Sequence, residues 1–495
     1  MSPSRELQLS VTARSPLAEI FVIDDQFALV DRSIGDLDCR VSPGVYKVKA
    51  KLADATYERL ILLDEDTSLD LSGELVMGSA VPISPAGSIS PEGPISPEGP
   101  TSPTVPAGPA GSAGSAGSAG SAPEPSLRGD ELPHEQSTRS ITGLDSAQIL
   151  LMTRADTQSS EAPALPAAIS LHQLDGTTIA ALDPADEPDT GGRAQTIDVD
   201  PGAYLVRRRD RMGDVIEQSV YAVAGWQTQL FAIEASGDDA TIGSSRVSVL
   251  MAQHRFTPND PELPLVEAAR TALADERKVA SDALVELLEE TDNPMLGLFG
   301  AHLMLISRDA QLTQREDAGA GRLSERAIAA PVEFDQSRFD LIVDRLAAVL
   351  GSEHPDILAL STQRSDQDVR ALQPISAPPM LWRSWVLLIA ASNHAPELVP
   401  ISVWQQTVHV LPLRPFFLWS PADQDTELTR TWAQDIANSL SARAPEPQAE
   451  VFWGDAGSQL ASSAPALDEE ARRRVSEELL MPRAAIDRLA DGDRL

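Results

Sequence analysis

Residues 76 to 143 of this 495-residue chain collapse into Pro, Gly, Ser and Ala: the hexads ISPAGS, ISPEGP and ISPEGP start at Ile83, Ile89 and Ile95, and GSA is repeated four times from Gly111 to Ala122. A stretch with so few large apolar side chains cannot bury enough surface to offset its conformational entropy, so no core forms within it. The Pro-containing hexads predict a semi-extended segment and the GSA tract a flexible coil. Together they predict a disordered linker of about 65 residues with a root-mean-square span of about 45 Å, a passive tether. Folded units must therefore lie on both sides, and at roughly 100–200 residues per domain the length allows about three of them.

The segments flanking this tether resemble each other. Val41-Ser42-Pro43-Gly44-Val45-Tyr46 and the alternating residues that follow match Val199-Asp200-Pro201-Gly202-Ala203-Tyr204 and its continuation. Downstream, Leu60 to Leu63 align with Val220 to Val223, and Leu69-Asp70-Leu71 with Leu230-Phe231-Ala232; upstream, LQLSVTARS aligns with AQILLMTRAD. The chain carries an internal duplication. In each copy Pro-Gly supplies a turn and the next residues alternate with period two, which predicts antiparallel β structure. In the first copy Tyr46, Val48, Ala50 and Leu52 should face a core while Lys47, Lys49 and Lys51 face outward.

The strand, P-G-x-Y turn, strand and final hydrophobic strand resemble the prealbumin-like β-sandwich modules of carboxypeptidase regulatory-like and PEGA-type repeats. The resemblance covers 1–75 and 144–236. It implies two small β-sandwich modules suited to protein or carbohydrate contact or to spacing, and it brings no catalytic residues with it.

From about Val247 to the end, at 247–495, the apolar period becomes helical. Phe339, Ile342, Val343, Leu346, Val349 and Leu350 form one face, with Ser337 as the expected N-cap and Gly351 as the stop. Further helices are expected at 261–275, at 281–290 with Ser281 as cap, at 294–307, and at 378–392, 425–441, 467–480 and 482–491. Met295 to Ile306 is apolar nearly all round, which predicts a central buried helix containing a core histidine, His302. The fold class is therefore multidomain α+β, two small antiparallel β-sandwich modules on a disordered linker followed by a mainly α-helical domain.

Charge narrows the partners. The formal charge of −35 repels phosphate backbones and anionic headgroups, so neither nucleic acid nor a membrane is expected as a partner. The runs Met295–Ile306 and Trp385–Ala391 fall short of the roughly 20 apolar residues that span a bilayer. MSPSRELQLSVTARS lacks a secretory pattern, and a lone cysteine, Cys39, precludes an intrachain disulfide, so a cytoplasmic location is expected. Lysine occurs only at Lys47, Lys49, Lys51 and Lys278, and the arginine-, alanine- and proline-rich remainder suggests a GC-rich bacterial genome.

No motif assigns a metal or cofactor. The seven histidines form no HExxH or other close pair. Asp64, Asp66, Ser68 and Asp70 imitate a calcium loop, but Leu69 and Leu75 stand where it needs Gly and Glu. The acidic run Asp183, Asp186, Glu187 and Asp189 is equally well satisfied by water. Walker A and G-x-S-x-G patterns are missing. Aromatic placement is the least ordinary feature: Trp382, Trp385, Trp404, Trp419, Trp432 and Trp453 crowd the C-terminal part, where Pro412 and Pro415 interrupt an apolar run. Phe416, Phe417 and Trp419 must lie in a groove of their own domain or meet another chain, and are the candidate protein-interaction residues. These features favour a non-enzymatic adaptor or scaffold subunit of a cytoplasmic bacterial multiprotein system, companion to a separate effector enzyme. The alternatives are small-ligand or glycan binding through the β modules, or an enzyme with an unrecognised site in the C-terminal half.

Overall fold

The computed structural model describes residues 6–71, 146–421 and 469–490, with short interruptions of which the longest are 156–167, 183–192, 235–245 and 320–333. The linker expected at 76–143, the acidic run at 183–189 and the helix expected at 425–441 lie outside the described residues.

Seven strands form the first β unit: β1 (Leu7–Thr12), β2 (Glu19–Ile23), β3 (Leu29–Ile34), β4 (Leu37–Val41), β5 (Gly44–Leu52), β6 (Ala55–Leu63) and β7 (Thr67–Asp70). They make two sheets, β4-β1-β7 and β3-β2-β5-β6. Pairing is antiparallel except between β1 and β7, which run parallel. The second unit repeats the arrangement with β8 (Ala147–Ala155), β9 (Ala168–His172), β10 (Thr178–Leu182), β11 (Arg193–Val199), β12 (Gly202–Arg209), β13 (Val215–Ala222) and β14 (Gln227–Glu234). Its sheets run β11-β8-β14 and β10-β9-β12-β13, with β8 and β14 again parallel.

The repetition reaches single residues. Val30 is skipped in the β2–β3 ladder and Ile179 in the β9–β10 ladder, so both copies carry a bulge at the same place. Tyr46 donates its hydroxyl proton to the Ser42 carbonyl at 2.8 Å, and Tyr204 does the same to Asp200 at 2.7 Å. That bond explains the P-G-x-Y motif: the tyrosine reaches back four residues and ties down the turn preceding its own strand. The alternation read along β5 holds, with Tyr46, Val48, Ala50 and Leu52 buried.

Pairing also corrects the alignment of the downstream strands. Gly44 lies opposite Leu63 and Gly202 opposite Ala222, which equates Leu60 with Ser219 and Leu62 with Tyr221, one position away from the sequence match. Both runs are largely apolar, so side-chain type alone could not fix a register that the turn fixes.

The second unit is then extended. β15 (Arg246–Ala252) adds to β14, while β17 (Leu418–Ser420) adds to β13 and carries β16 (His409–Leu411) on its far side. Between these additions lie α1 (Leu263–Ala274), α2 (Asp282–Glu290), α3 (Pro294–Gly319), α4 (Gln336–Leu350), α5 (Pro355–Ser361), α6 (Trp382–Ser392) and α7 (Ile401–Gln406), with α8 (Glu469–Leu479) and α9 (Arg483–Ala490) following. Ser281 caps α2 as expected, its hydroxyl accepting from Leu284 N at 3.2 Å. Asp335 rather than Ser337 caps α4, accepting from the amides of Ser337 and Arg338 at 2.9 and 3.2 Å, because a carboxylate there also suits the positive helix end. Gly351 stops α4 with φ of 91°. α3 is longer than expected, and Met295 to Ile306 is buried along it. A Cβ at Gly297 would sit 2.6 Å from Leu346 Cδ2, so the missing side chain lets α4 approach closely.

Candidate functional site

The candidate anchor residues are turned inward. Phe416, Phe417 and Trp419 are buried, Phe417 and Trp419 completely. The Phe417 ring stacks on Trp385 of α6 at 4.7 Å and 18°, and lies 5.5 Å from the Trp419 ring. Trp419 Nε1 donates to Glu217 Oε2 at 3.0 Å, and the Phe417 amide donates to the Met380 carbonyl at 2.8 Å. The groove these residues occupy is thus their own domain's, between β13 and α6. Pro415 precedes the strand instead of interrupting it, which leaves Leu418 to Ser420 free to pair, while Pro412 lies outside the described residues.

A second cluster imitates a catalytic triad. His302 on α3, Asp356 at the start of α5 and Ser384 on α6 are all fully buried. His302 Nε2 lies 2.9 Å from Ser384 Oγ, and Ser384 also hydrogen-bonds Asp356. The Asp356 carboxylate further accepts from the amides of Met380 and Leu381 at 2.9 and 3.1 Å. Ser384's single proton serves Asp356, which leaves His302 Nε2 as donor to the hydroxyl. A general base would need the reverse. Burial pushes the His302 and His354 imidazoles down to about 3 and the Asp356 carboxyl up to about 6. The cluster joins α3, α5 and α6, and β13 meets it through Tyr221, whose ring packs 3.9 Å from His354 and whose hydroxyl donates to Pro378 O at 3.2 Å. Its chemistry is that of a core polar network, as sequence reasoning expected for His302 alone.

The remaining candidate is the outer face of the first unit's four-stranded sheet. Its rows are read from the pairing: Val45 opposite Leu62, Lys47 opposite Leu60, Lys49 opposite Glu58, with Ile23 and Phe21 of β2 beside the two lysines. Leu60 is 72% exposed, Leu62 68% and Val45 46%, and Leu29 on β3 is also exposed. Lys47 and Lys49 reach Glu58 at 2.5 and 3.3 Å and hold its carboxyl below the usual range. Arg32 stands 5.3 Å over the Phe21 ring. The result is an apolar strip next to a basic strand, at a sheet edge where β6 pairs with β5 and has no strand on its other side among the described residues.

The corresponding face of the second unit is covered. Leu205, the counterpart of Lys47, packs in the cluster that contains Trp385, Phe417 and Trp419. Along β13 every residue is buried, Glu217, Gln218 and Ser219 included. Glu217 keeps the cross-strand partner of its counterpart Glu58: Arg207 donates to it at 2.5 and 2.9 Å.

Cys39 is half-buried, and burial together with Asp31 and Asp38 raises its thiol to about 11, the opposite of an activated nucleophile. Among the described residues no cluster of three or more His, Cys, Asp or Glu side chains is arranged to hold a metal. No helix among them is long and apolar enough to cross a membrane.

No family model matches the chain, and no curated protein does. Among solved structures it is similar to the Bacillus anthracis TIE protein, at 9% identity and a TM-score of 0.15, over 46% of this chain and 32% of that one. It is also similar to GBS52, the minor pilin of Streptococcus agalactiae, at 8% identity and a TM-score of 0.15, over 48% of this chain and 98% of the pilin. The chain spans about a third of the length of the first of these.

Proposed function

We propose that this protein is a non-enzymatic adaptor subunit of a cytoplasmic bacterial multiprotein system, companion to a separate effector, with the first β unit as its partner-binding module. One observation carries the reading: two copies of one sandwich differ in that the second has its outer face and edge covered by its own chain, while the first leaves Leu60, Leu62 and Val45 exposed beside Lys47 and Lys49. An exposed apolar strip rimmed by charge is the usual mark of a protein interaction surface. The single cysteine, which precludes an intrachain disulfide, supports a reducing compartment. The triad-like cluster does not favour an enzyme, since its serine and histidine are fully buried and oriented the wrong way for attack.

The test is an affinity capture from the native host with the full-length protein and with the Leu60→Asp, Leu62→Asp double variant. Partners retained in full by the variant would refute the reading. Their loss, with the circular dichroism of the variant unchanged, would support it.

A further inference from the structure

The duplication shows what completes an edge of this sandwich. In the second unit the edge strand β13 receives β17 as an antiparallel neighbour, Glu217 opposite Trp419 and Gln218 opposite Leu418, and Ser420 Oγ bonds the Val215 carbonyl at 3.1 Å. Glu217 then accepts from the Trp419 indole. The first unit has the same edge, β6, with Glu58 at the position of Glu217 and with Leu60 and Leu62 at those of Ser219 and Tyr221. Main-chain donors and acceptors along β6 are presented in the order that β17 uses on β13.

We propose that the β6 edge accepts an extended, acidic, tryptophan-containing segment of a partner protein as an added antiparallel strand. The inference rests on the reading of the first unit as the partner-binding module. Backbone pairing would supply the geometry, and the exposed leucines a seat for the aromatic side chain, as in other cases of strand addition at a sheet edge. The acidic character follows from charge. Three of the chain's four lysines, Lys47, Lys49 and Lys51, project from β5 next to this edge, in a chain whose net charge is −35. Glu58 on β6 pairs with Lys47 and Lys49, so on these two strands' outer face three lysines stand against one carboxylate, and with charges screened beyond about 8 Å at physiological ionic strength an arriving segment responds to that local positive excess.

The experiment uses full-length protein and the fluorescein-labelled peptide Asp-Glu-Phe-Leu-Trp-Ser-Asp-Glu, followed by anisotropy, with amide exchange read on β6. The expected result is a Kd on the order of 10 µM that weakens about tenfold in Leu60→Asp, Leu62→Asp and weakens with added salt. Amides of Thr56 to Leu62 should gain protection, and a peptide N-methylated at alternate residues should lose binding. Equal binding by the N-methylated peptide, or no protection of β6, would overturn strand addition. Equal binding when lysines replace the acidic residues would overturn the acidic chemistry. Failure of the peptide to bind at all would overturn the inference, and the adaptor reading would stand if the host partners were still lost from the double variant in the capture experiment. A protein that dimerises alone and becomes monomeric on Leu62→Asp would identify a second copy as the occupant and overturn the proposal.

Discussion

The two β units share strand order, a bulge, a tyrosine tie and a cross-strand ion pair, yet the chain closes the edge of one, while among the described residues no strand pairs with the edge of the other. In the second unit the extra strands β15 and β17 come from outside the duplicated segment, and the helices between them bury the outer face. β13 tolerates Glu217, Gln218 and Ser219 in a buried setting, with Glu217 held by both Arg207 and Trp419, whereas β6 exposes Leu60 and Leu62. An unprotected apolar edge is a hazard that folded proteins normally blunt. Its persistence in one copy, beside a closed example of itself, indicates that the sandwich core does not require the edge to be filled.

The chain contains two reporters suited to testing this contrast. Every tryptophan lies at Trp226 or beyond, and the lone cysteine, Cys39, lies in the first unit. The tryptophans among the described residues report on the second unit and the helices, and thiol labelling follows the first. The largest effect is expected from Phe417→Ala or Trp419→Ala, each costing about 3–5 kcal/mol through the cavity left in a tightly packed site. Fluorescence-detected urea midpoints should fall sharply while Cys39 labelling keeps its midpoint. A parallel fall in both would mean that the units unfold as one.

Acid should separate the two next. Burial holds His302 and His354 near 3 in the fold, against 6.5 in the unfolded chain, so their contribution is present above 6.5 and is lost as pH falls toward 3. Asp356 acts oppositely: raised to about 6 from 3.8, it contributes fully below 3.8 and loses that contribution as pH rises through 6. The two histidines outweigh the one carboxyl, for a net loss on the order of 3 kcal/mol at pH 4.5 relative to pH 7. The first unit contains no histidine, and its labelling midpoint should move much less over the same range.

Glu217→Ala should then cost about 2 kcal/mol, because it strips partners from Arg207 and from the buried Trp419 indole. The counterpart change Glu58→Ala, at an exposed ion pair, should leave the labelling midpoint where it was. Tyr46→Phe and Tyr204→Phe should each cost about 1 kcal/mol, the net value of one hydrogen bond, and should do so equally in the two units. Unequal losses would show that the tie to the preceding turn differs between the copies.

Much of the fold was legible because its signals are local. Pro-Gly marks a turn, the alternation along β5 marks an inner face, and the apolar run in α3 marks a buried helix. The one-residue slip between Leu60 and Val220 arose where both strands are apolar and nothing local distinguishes the registers. Burial of Glu217, Gln218 and Ser219 was not legible at all, since it depends on Trp419 and Leu418 some two hundred residues away. The segment at Phe416 to Trp419 was recognised as unusual, but its destination could not be read from its own residues. One clue lay in the sequence: a tryptophan that is to be buried needs an acceptor for its indole N–H. Glu217 supplies it, on a strand that reads as half solvent-facing.

The parallel alignment of the first and last strands in each unit has a mechanical consequence. β1 enters at one end of the sandwich and β7 leaves at the other, so tension applied through the chain on either side pulls the two strands past each other along their length. Hydrogen bonds between them are loaded together, in shear, rather than one after another as in peeling. The parallel register covers four residue pairs in the first unit, Leu9–Thr67 to Thr12–Asp70, and eight in the second, Gln148–Gln227 to Ala155–Glu234. Under a pulling force the first unit should yield before the second.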